Sequence, residues 1–310
     1  MNFLWLEYFV QVANEGNMSR AAEKNHVSLP CVSQIIQKLE REVGVPLFER
    51  QKNRILITEY GKRFLQYAKN TLTQRDDVLQ EFHNTEGISG KITLCTSSVR
   101  AAYLAPSLWQ LRLDYPGIEV ILIDKDMPYE ERIDTLRRGE ADFIVAEERR
   151  LDADFIQVPL CLEYYYIVLS RESDMYQRHF PDGNIPEKIS LKEFASEPIL
   201  LSRAGTKIRQ RIDKIFSDLG VSPSSTFTCS SLLVKEALTE RGLGYMVKNY
   251  PEGFSYYLKR SDLCYIPIDH PQASLQLALI WRKGFYISYA QQLFIEAIKK
   301  CLSQNEDQQL

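Results

Sequence analysis

The feature that most constrains this chain lies within residues 17–61, where two short helical patterns joined by a tight turn run directly into a hairpin. Asn17-Met18-Ser19-Arg20-Ala21-Ala22-Glu23 leads through the turn Asn25-His26-Val27 into Ser28-Leu29-Pro30-Cys31-Val32-Ser33-Gln34-Ile35-Ile36-Gln37-Lys38-Leu39-Glu40. Ser28 suits the N-cap, and Pro30 falls in the first turn, where a missing N–H costs little. Val32, Ile36, Leu39 and Val43 recur at helical spacing and define one buried stripe. Pro30, Ser33, Gln34, Gln37 and Arg41 are left on the opposite face, which is polar and able to donate and accept hydrogen bonds. Reading base edges in a major groove requires a stiff helix that offers such a face outward.

Gly44 stops that helix, and residues 46–50 and 55–58 read as two strands around the turn Gln51-Lys52-Asn53-Arg54. Arg50, Lys52 and Arg54 set three cations on this wing, where phosphates would pass. Ser19, Arg20, Ser28 and Lys38 join Pro30, Ser33, Gln34, Gln37 and the wing cations as the residues expected at DNA. Residues 1–63 hold nine Lys and Arg against seven Asp and Glu, a net +2. That field is weak, so the motif carries the inference. A protein-protein module with a solvated basic loop is the plainer alternative.

The stretch from Phe3 to Gly61 resembles the winged helix-turn-helix of the LysR-type transcriptional regulators. The matching pieces are Leu6-Glu7-Tyr8-Phe9, Val12-Ala13, Ser19-Arg20-Ala21-Ala22, Val27-Ser28-Leu29-Pro30, Leu39-Glu40, Gly44-Val45-Pro46-Leu47-Phe48-Glu49-Arg50 and Ile57-Thr58-Glu59-Tyr60-Gly61. Leu29 stands where the family usually has Gln, and Ile35 where a polar residue is common. Leu29 suits a thymine methyl rather than a hydrogen bond, so the operator of a relative cannot be transferred.

Residues 59–82 contain no proline, and Phe64, Ala68, Leu72, Leu79 and Phe82 recur at near-heptad spacing, interrupted by Arg75. A helix of about 24 residues spans ~36 Å, more than a 60-residue headpiece buries. It reads as a linker pairing with a second subunit through Phe64, Ala68, Leu72 and Leu79; the alternative is a helix folded back on its own wing. The expected organisation is residues 1–58 for DNA, 59–84 for the linker helix, 85–90 for a glycine-bearing hinge and 91–302 for an effector domain.

Beyond the hinge, strands and helices alternate, which implies βαβ units and a parallel sheet. Residues 91–302 resemble the effector domain of the same regulators, a two-lobed α/β domain similar to periplasmic solute-binding proteins. The resemblance rests on Tyr115-Pro116-Gly117-Ile118-Glu119-Val120, Leu136-Arg137-Arg138-Gly139-Glu140-Ala141-Asp142-Phe143, Arg241-Gly242-Leu243-Gly244-Tyr245 and Trp281-Arg282-Lys283. It places lobe I at about 91–163 plus 268–302 and lobe II at about 164–267. The fold class is therefore α/β: winged helix-turn-helix, long linker helix and two-lobed effector domain.

Ligands of open α/β sheets bind beyond the carboxyl ends of strands, at helix N-termini. Three strand-to-helix corners qualify: Thr96-Ser97-Ser98-Val99-Arg100, Ser202-Arg203-Ala204-Gly205-Thr206 and Cys229-Ser230-Ser231. Ser97, Ser98, Arg100, Ser202, Arg203, Thr206, Cys229 and Ser230 are the expected effector contacts, although plain helix capping also accounts for the serines. The resemblance maps the family's effector positions around Ser97 and Ser98. Arg100 and Arg203 point to an organic anion, because arginine grips carboxylate and phosphate bidentately. Asp124-Lys125-Asp126 and Glu147-Glu148-Arg149-Arg150 read as solvated loop charges.

With 45% hydrophobic and 25% charged residues the chain has the composition of a globular protein. The net charge of −3 leaves −5 outside the headpiece, an acidic sensor on a mildly basic reader. No apolar run approaches the ~18 residues of a membrane span and no basic leader precedes an apolar stretch, so a cytoplasmic protein without membrane contact is expected. The six cysteines, at 31, 95, 161, 229, 264 and 301, show no CxxC or close pairing and read as buried thiols. Some LysR-type relatives sense oxidants through a cysteine pair, but no comparably close pair occurs here. There is no G-x-S-x-G, P-loop or H-x-x-x-H, so neither an enzyme nor a metal or cofactor site is expected. The reading is a homodimeric or homotetrameric regulator that binds promoter DNA, answers to a small-molecule effector and possesses a surface for RNA polymerase. Its rivals are a small-molecule-binding module or enzyme on a solute-binding scaffold, and a non-specific DNA-organising protein.

Overall fold

The computed structural model describes residues 1–51, 54–83, 87–125, 127–251 and 262–303. The headpiece is α1 (Phe3–Glu15), α2 (Met18–Lys24), α3 (Leu29–Val43) and the antiparallel wing β1 (Phe48–Gln51) and β2 (Arg54–Ile57). Val32, Ile35, Ile36 and Leu39 of α3 are buried against α1 and α2, and Gly44 ends the helix in the left-handed region at φ 79°. Val43, expected on that stripe, is exposed, while Ile35 takes a place in the core. Ser28 occupies the N-cap position, but its side chain caps nothing; its carbonyl accepts from Cys31 and Val32 instead.

The linker α4 (Glu59–His83) is one unbroken helix. Thr58 Oγ1 accepts from Gly61 N at 2.9 Å, and the Gly61 Cα lies so close to the Leu47 carbonyl that a Cβ would come within 2.1 Å of its oxygen. Along its first half, the face expected to meet a second subunit packs against the headpiece of its own chain. Ala68 is fully buried within its own chain, Phe64 meets Phe9 edge-on at 4.9 Å, and Leu72 packs against the same core. The reason is the length of α1, which lies along α4 and covers that face. Arg75 fastens the two helices by an ion pair to Glu7 at 2.6 Å. Leu79 and Phe82, beyond the reach of α1, are exposed.

The effector domain is built on one seven-stranded sheet that runs through both lobes. Its strands are β3 (Ser89–Cys95), β4 (Gly117–Ile123), β5 (Phe143–Glu147), β6 (Phe155–Ser170), β9 (Met246–Pro251), β10 (Leu263–Pro267) and β11 (Ser274–Arg282). β3 pairs parallel with β4 and β5, and the remaining pairings are antiparallel. β6 is twice the length that alternation alone suggests. Pro159 disguises its first half, and a register shift between Gln276 and Ala278 of β11 absorbs that proline. β6 exchanges partners midway: β11 accompanies it as far as Tyr164, β9 joins from Glu163 and β10 from Tyr166. Lobe I adds α5 (Ser98–Asp114), α6 (Tyr129–Arg137) and α10 (Tyr289–Ser303). Lobe II adds α7 (Asp174–His179), α8 (Lys207–Asp218), α9 (Leu232–Glu240) and the parallel pair β7 (Pro198–Leu201) and β8 (Ser224–Thr228). Glu81 of the linker accepts from the Tyr286 hydroxyl at 3.0 Å and from Tyr289 N at 3.3 Å, which attaches α4 to the start of α10.

Candidate functional site

The helix-turn-helix offers one polar face. Pro30, Gln34, Gln37 and Lys38 are exposed on α3, and Ser33 is half-buried beside them. Lys38 leans back so that its ammonium lies 5.7 Å from the centroid of the Trp5 ring. Ser19 and Arg20 are exposed in the first turn of α2, where their N–H groups donate to the Asn17 side chain at 2.8 and 3.1 Å. His26 turns the chain between the helices in the left-handed region, at φ 55°. The wing is aimed by a residue whose role the sequence does not announce: the Glu40 carboxylate of α3 accepts from Leu47 N and Phe48 N at 2.9 and 3.1 Å. Arg50 lies on β1 opposite Ile55 and Arg54 on β2 opposite Gln51, while the two arginine side chains and all of Lys52 lie outside the described residues.

Between the lobes, the corner serines are engaged locally. Ser97 caps α5 by accepting from Arg100 N, and Ser98 donates to the Asp124 carbonyl at 2.9 Å. Thr206 stands at the N-cap of α8, with its hydroxyl on the Arg203 carbonyl at 2.9 Å. Ser202 is buried and accepts from Lys235 Nζ at 2.7 Å. Cys229 points at the Ser231 carbonyl, and Ser230 and Arg203 are exposed.

Arg100 is turned inward, not into the cleft. Its guanidinium grips Glu163 with Nε at 3.1 Å and Nη2 at 2.8 Å; Tyr103 donates to the same carboxylate, and Asn249 Nδ2 approaches it at 2.9 Å. Glu163 is fully buried at the point where β6 changes lobes, and a buried carboxylate needs a cation. The expected clamp of Arg100 with Arg203 is therefore not assembled. Burial and the Glu163 charge push the Tyr103 hydroxyl well up, so it stays a donor at neutral pH.

Of the four residues 147–150 read as solvated loop charges, Glu148 and Arg150 are exposed, but Glu147 at the end of β5 and Arg149 just after it take part in the cleft. Glu147 Oε1 receives Arg211 Nη2 of α8 at 2.5 Å and its Oε2 receives Arg149 Nη2 at 2.8 Å, so one carboxylate ties lobe I to lobe II. Burial raises its pKa, but the Arg149 hydrogen bond and the Arg211 charge outweigh that and hold it below the usual carboxylate range. Arg211 also donates to the Gln272 and Ser274 carbonyls and lies over the Tyr165 ring. Arg149 and Lys207 both lie against the ring of Tyr129, at 4.7 and 4.4 Å from its centroid. Burial, and then the Arg149 charge, bring Lys207 down to about 8. Sequence proximity gives no hint of this group, because its members come from β5, α6 and α8. Among the described residues there is no cluster of metal-ligating side chains, and no helix is long and apolar enough to cross a membrane.

An outward helix on a winged headpiece, joined by a long helix to a two-lobed α/β domain with a charged cleft, defines a DNA-binding regulator with a ligand-sensing domain. Residues 3–62 match the family model of the bacterial regulatory helix-turn-helix protein, lysR family, and residues 85–302 match that of the LysR substrate binding domain. The chain belongs to the LysR family of transcriptional regulators. It is 28% identical to the uncharacterized HTH-type transcriptional regulator YcgK of Bacillus subtilis, over 99% of this chain and 97% of that protein. It is 27% identical to the hydrogen peroxide-inducible genes activator of Pectobacterium carotovorum, over 92% and 91%. In fold it is similar to a full-length OxyR variant from Pseudomonas aeruginosa (TM-score 0.66, 24% identity, 97% of each chain). It is also similar to CbnR in complex with its target DNA (TM-score 0.57, 21% identity, 97% and 100%).

Proposed function

We propose that this regulator reads a promoter dyad through Ser33, Gln34 and Gln37 of α3, with Pro30 and Lys38 beside them. Ser19, Arg20, Ser28, Arg50, Lys52 and Arg54 hold the phosphate backbone, and a small organic anion in the cleft between the lobes shifts its DNA-bound state. The observation that carries the reading is the two-sided character of α3: Val32, Ile35, Ile36 and Leu39 hold one face in the core and leave the polar face outward. That CbnR is known with its target DNA supports the same docking mode here. The relatives named for induction by hydrogen peroxide leave open an oxidant as signal. Cys95 and Cys264 are buried with thiols raised by burial, Cys264 to about 11, which disfavours the reactive thiolate there, whereas Cys31, Cys161 and Cys229 are half-buried rather than buried as expected.

The cleft cations favour an anion. Effector and DNA each need only prefer one lobe and subunit arrangement for their binding to be coupled. The reading includes a cytoplasmic location, assembly as a homodimer or homotetramer, and contact with RNA polymerase at the promoter. Footprinting on the DNA flanking the regulator's own gene, with and without small carboxylates, tests it. Sequence-selective protection that changes with the anion is expected; equal protection of all DNA would indicate a non-specific DNA-organising protein instead.

A further inference from the structure

Resting on the effector reading above, one group of side chains identifies the charge class of the ligand. We propose that Lys207, Arg149 and Arg211 form the binding site of a doubly charged small anion, and that the Glu147 carboxylate competes with this ligand for two of the three cations.

The charge count leads to the dianion. Arg149, Arg211 and Lys207 converge from the two lobes with Glu147 as the carboxylate among them, leaving a surplus of two positive charges. Buried Arg132 of α6 adds to the field on Lys207. Among the described residues no carboxylate comes within ion-pairing distance of the Lys207 ammonium, which rests on the Tyr129 ring shared with Arg149. Two cations on one ring repel each other, and a ligand carrying two negative charges relieves that repulsion where a monoanion relieves half of it.

Glu147 makes a bridge that such a ligand must break. It is ionised at neutral pH, and each of its oxygens holds one arginine, one from each lobe. An incoming anion that takes Arg149 and Arg211 frees Glu147 and changes what joins the lobes, which gives ligand binding a direct mechanical consequence.

Protons follow the ligand. Lys207 is faced by Tyr129 and Arg132 from α6 and by Glu147 and Arg149 from the end of β5, while the charge of Arg100, turned inward on α5, also acts on it. Although Lys207 is exposed over part of its surface, a pKa of about 8 leaves it mostly charged at pH 7 and mostly neutral at pH 9. A dianion raises that pKa, so binding takes up protons near pH 8 and affinity falls by up to about tenfold per pH unit above it.

Calorimetry on the full chain without DNA tests the proposal, with succinate and inorganic phosphate as probes and acetate as the monoanion. At least one dianion is expected to bind about tenfold or more tightly than acetate. Succinate alone assigns a dicarboxylate, and phosphate alone a phosphate ester. Lys207→Met and Arg149→Met should each weaken binding about tenfold or more, and Glu147→Gln should tighten it about tenfold. With succinate, whose carboxylates are both ionised over this range, the drop in affinity between pH 7 and pH 9 should disappear in Lys207→Met. Absence of binding by both dianions at millimolar concentration, unchanged binding in Lys207→Met, or weaker binding in Glu147→Gln would each overturn the proposal. A dianion that binds at these residues yet leaves the operator footprint unmoved would overturn the effector reading and not the site.

Discussion

Arg100 and Glu163 form a buried bidentate pair across the root of the two lobes, with Nε and Nη2 at 3.1 and 2.8 Å from the two carboxylate oxygens. Arg100 rises from α5 of lobe I, whereas Glu163 sits where β6 passes into lobe II beside Asn249 of β9. Removing one member leaves a buried charge without its counterion, which typically costs about 3–5 kcal/mol. Arg100→Met and Glu163→Leu should each lower the unfolding free energy measured in urea by that amount. The double substitution should recover most of the loss, because an apolar pair of similar volume needs no counterion. If the double variant is as unstable as the sum of the singles, the pair is not the source of the effect.

On DNA, Gln34→Ala should weaken operator binding by about 1–3 kcal/mol and random DNA far less, since its side chain is exposed on the outward face of α3. Arg54→Ala should weaken both alike and reduce the salt slope by about one unit. Gel-shift titration over a salt series separates the two behaviours. Equal loss on both DNAs for Gln34→Ala would remove α3 from the reading role.

The acid limb of stability should involve Glu147. Its folded-state pKa is depressed by Arg149 and Arg211 in spite of burial, so its contribution is present above its unfolded value of about 4.3 and is lost as pH falls below it. Glu147→Gln should flatten the stability profile of the effector domain between about pH 5 and pH 3. An unaltered profile would show that the cross-lobe bridge adds nothing to folding.

The headpiece was legible in the sequence because its determinants are local. The helical spacing of Val32, Ile36 and Leu39, the Gly44 stop and the Thr58 cap each act within a turn or two. Family motifs add to that reading where Gly61 lets α4 approach the Leu47 carbonyl. The cleft was not legible, because its defining pairs are distant: Arg211 reaches Glu147 over 64 positions, and Arg100 reaches Glu163 over 63. A run such as Glu147-Glu148-Arg149-Arg150 looks solvated when only its neighbours in sequence are considered. The linker stripe has a related limit: periodicity shows that one face is apolar but does not say whether α1 or another subunit covers it.

Gly61→Ala should destabilise the headpiece by about 1–3 kcal/mol, through overpacking against a backbone oxygen that cannot give way as a flexible side chain could. Far-ultraviolet melting of the full chain would show the headpiece transition lowered while that of the effector domain stays in place. An unshifted headpiece transition would mean that α4 can tilt to accept the methyl group.

The first half of the linker helix packs on the headpiece and its far end is exposed, and two substitutions distinguish them. Leu72 packs against the headpiece core, so Leu72→Glu forces a charge into an apolar contact of its own chain and should unfold the headpiece. Phe82 is 74% exposed, near the end of the helix and beyond α1, so Phe82→Glu costs the single chain little. We propose that this end meets a second subunit, so that the same charge is buried at the contact and the dimer dissociates. Sedimentation equilibrium at micromolar concentration, combined with circular dichroism, reads both effects: Leu72→Glu should lose helix signal, and Phe82→Glu should keep it while its mass falls to that of one chain. A Phe82→Glu variant that stays dimeric would place the subunit contact elsewhere, leaving Leu79 and Phe82 as an exposed apolar end without a role in assembly.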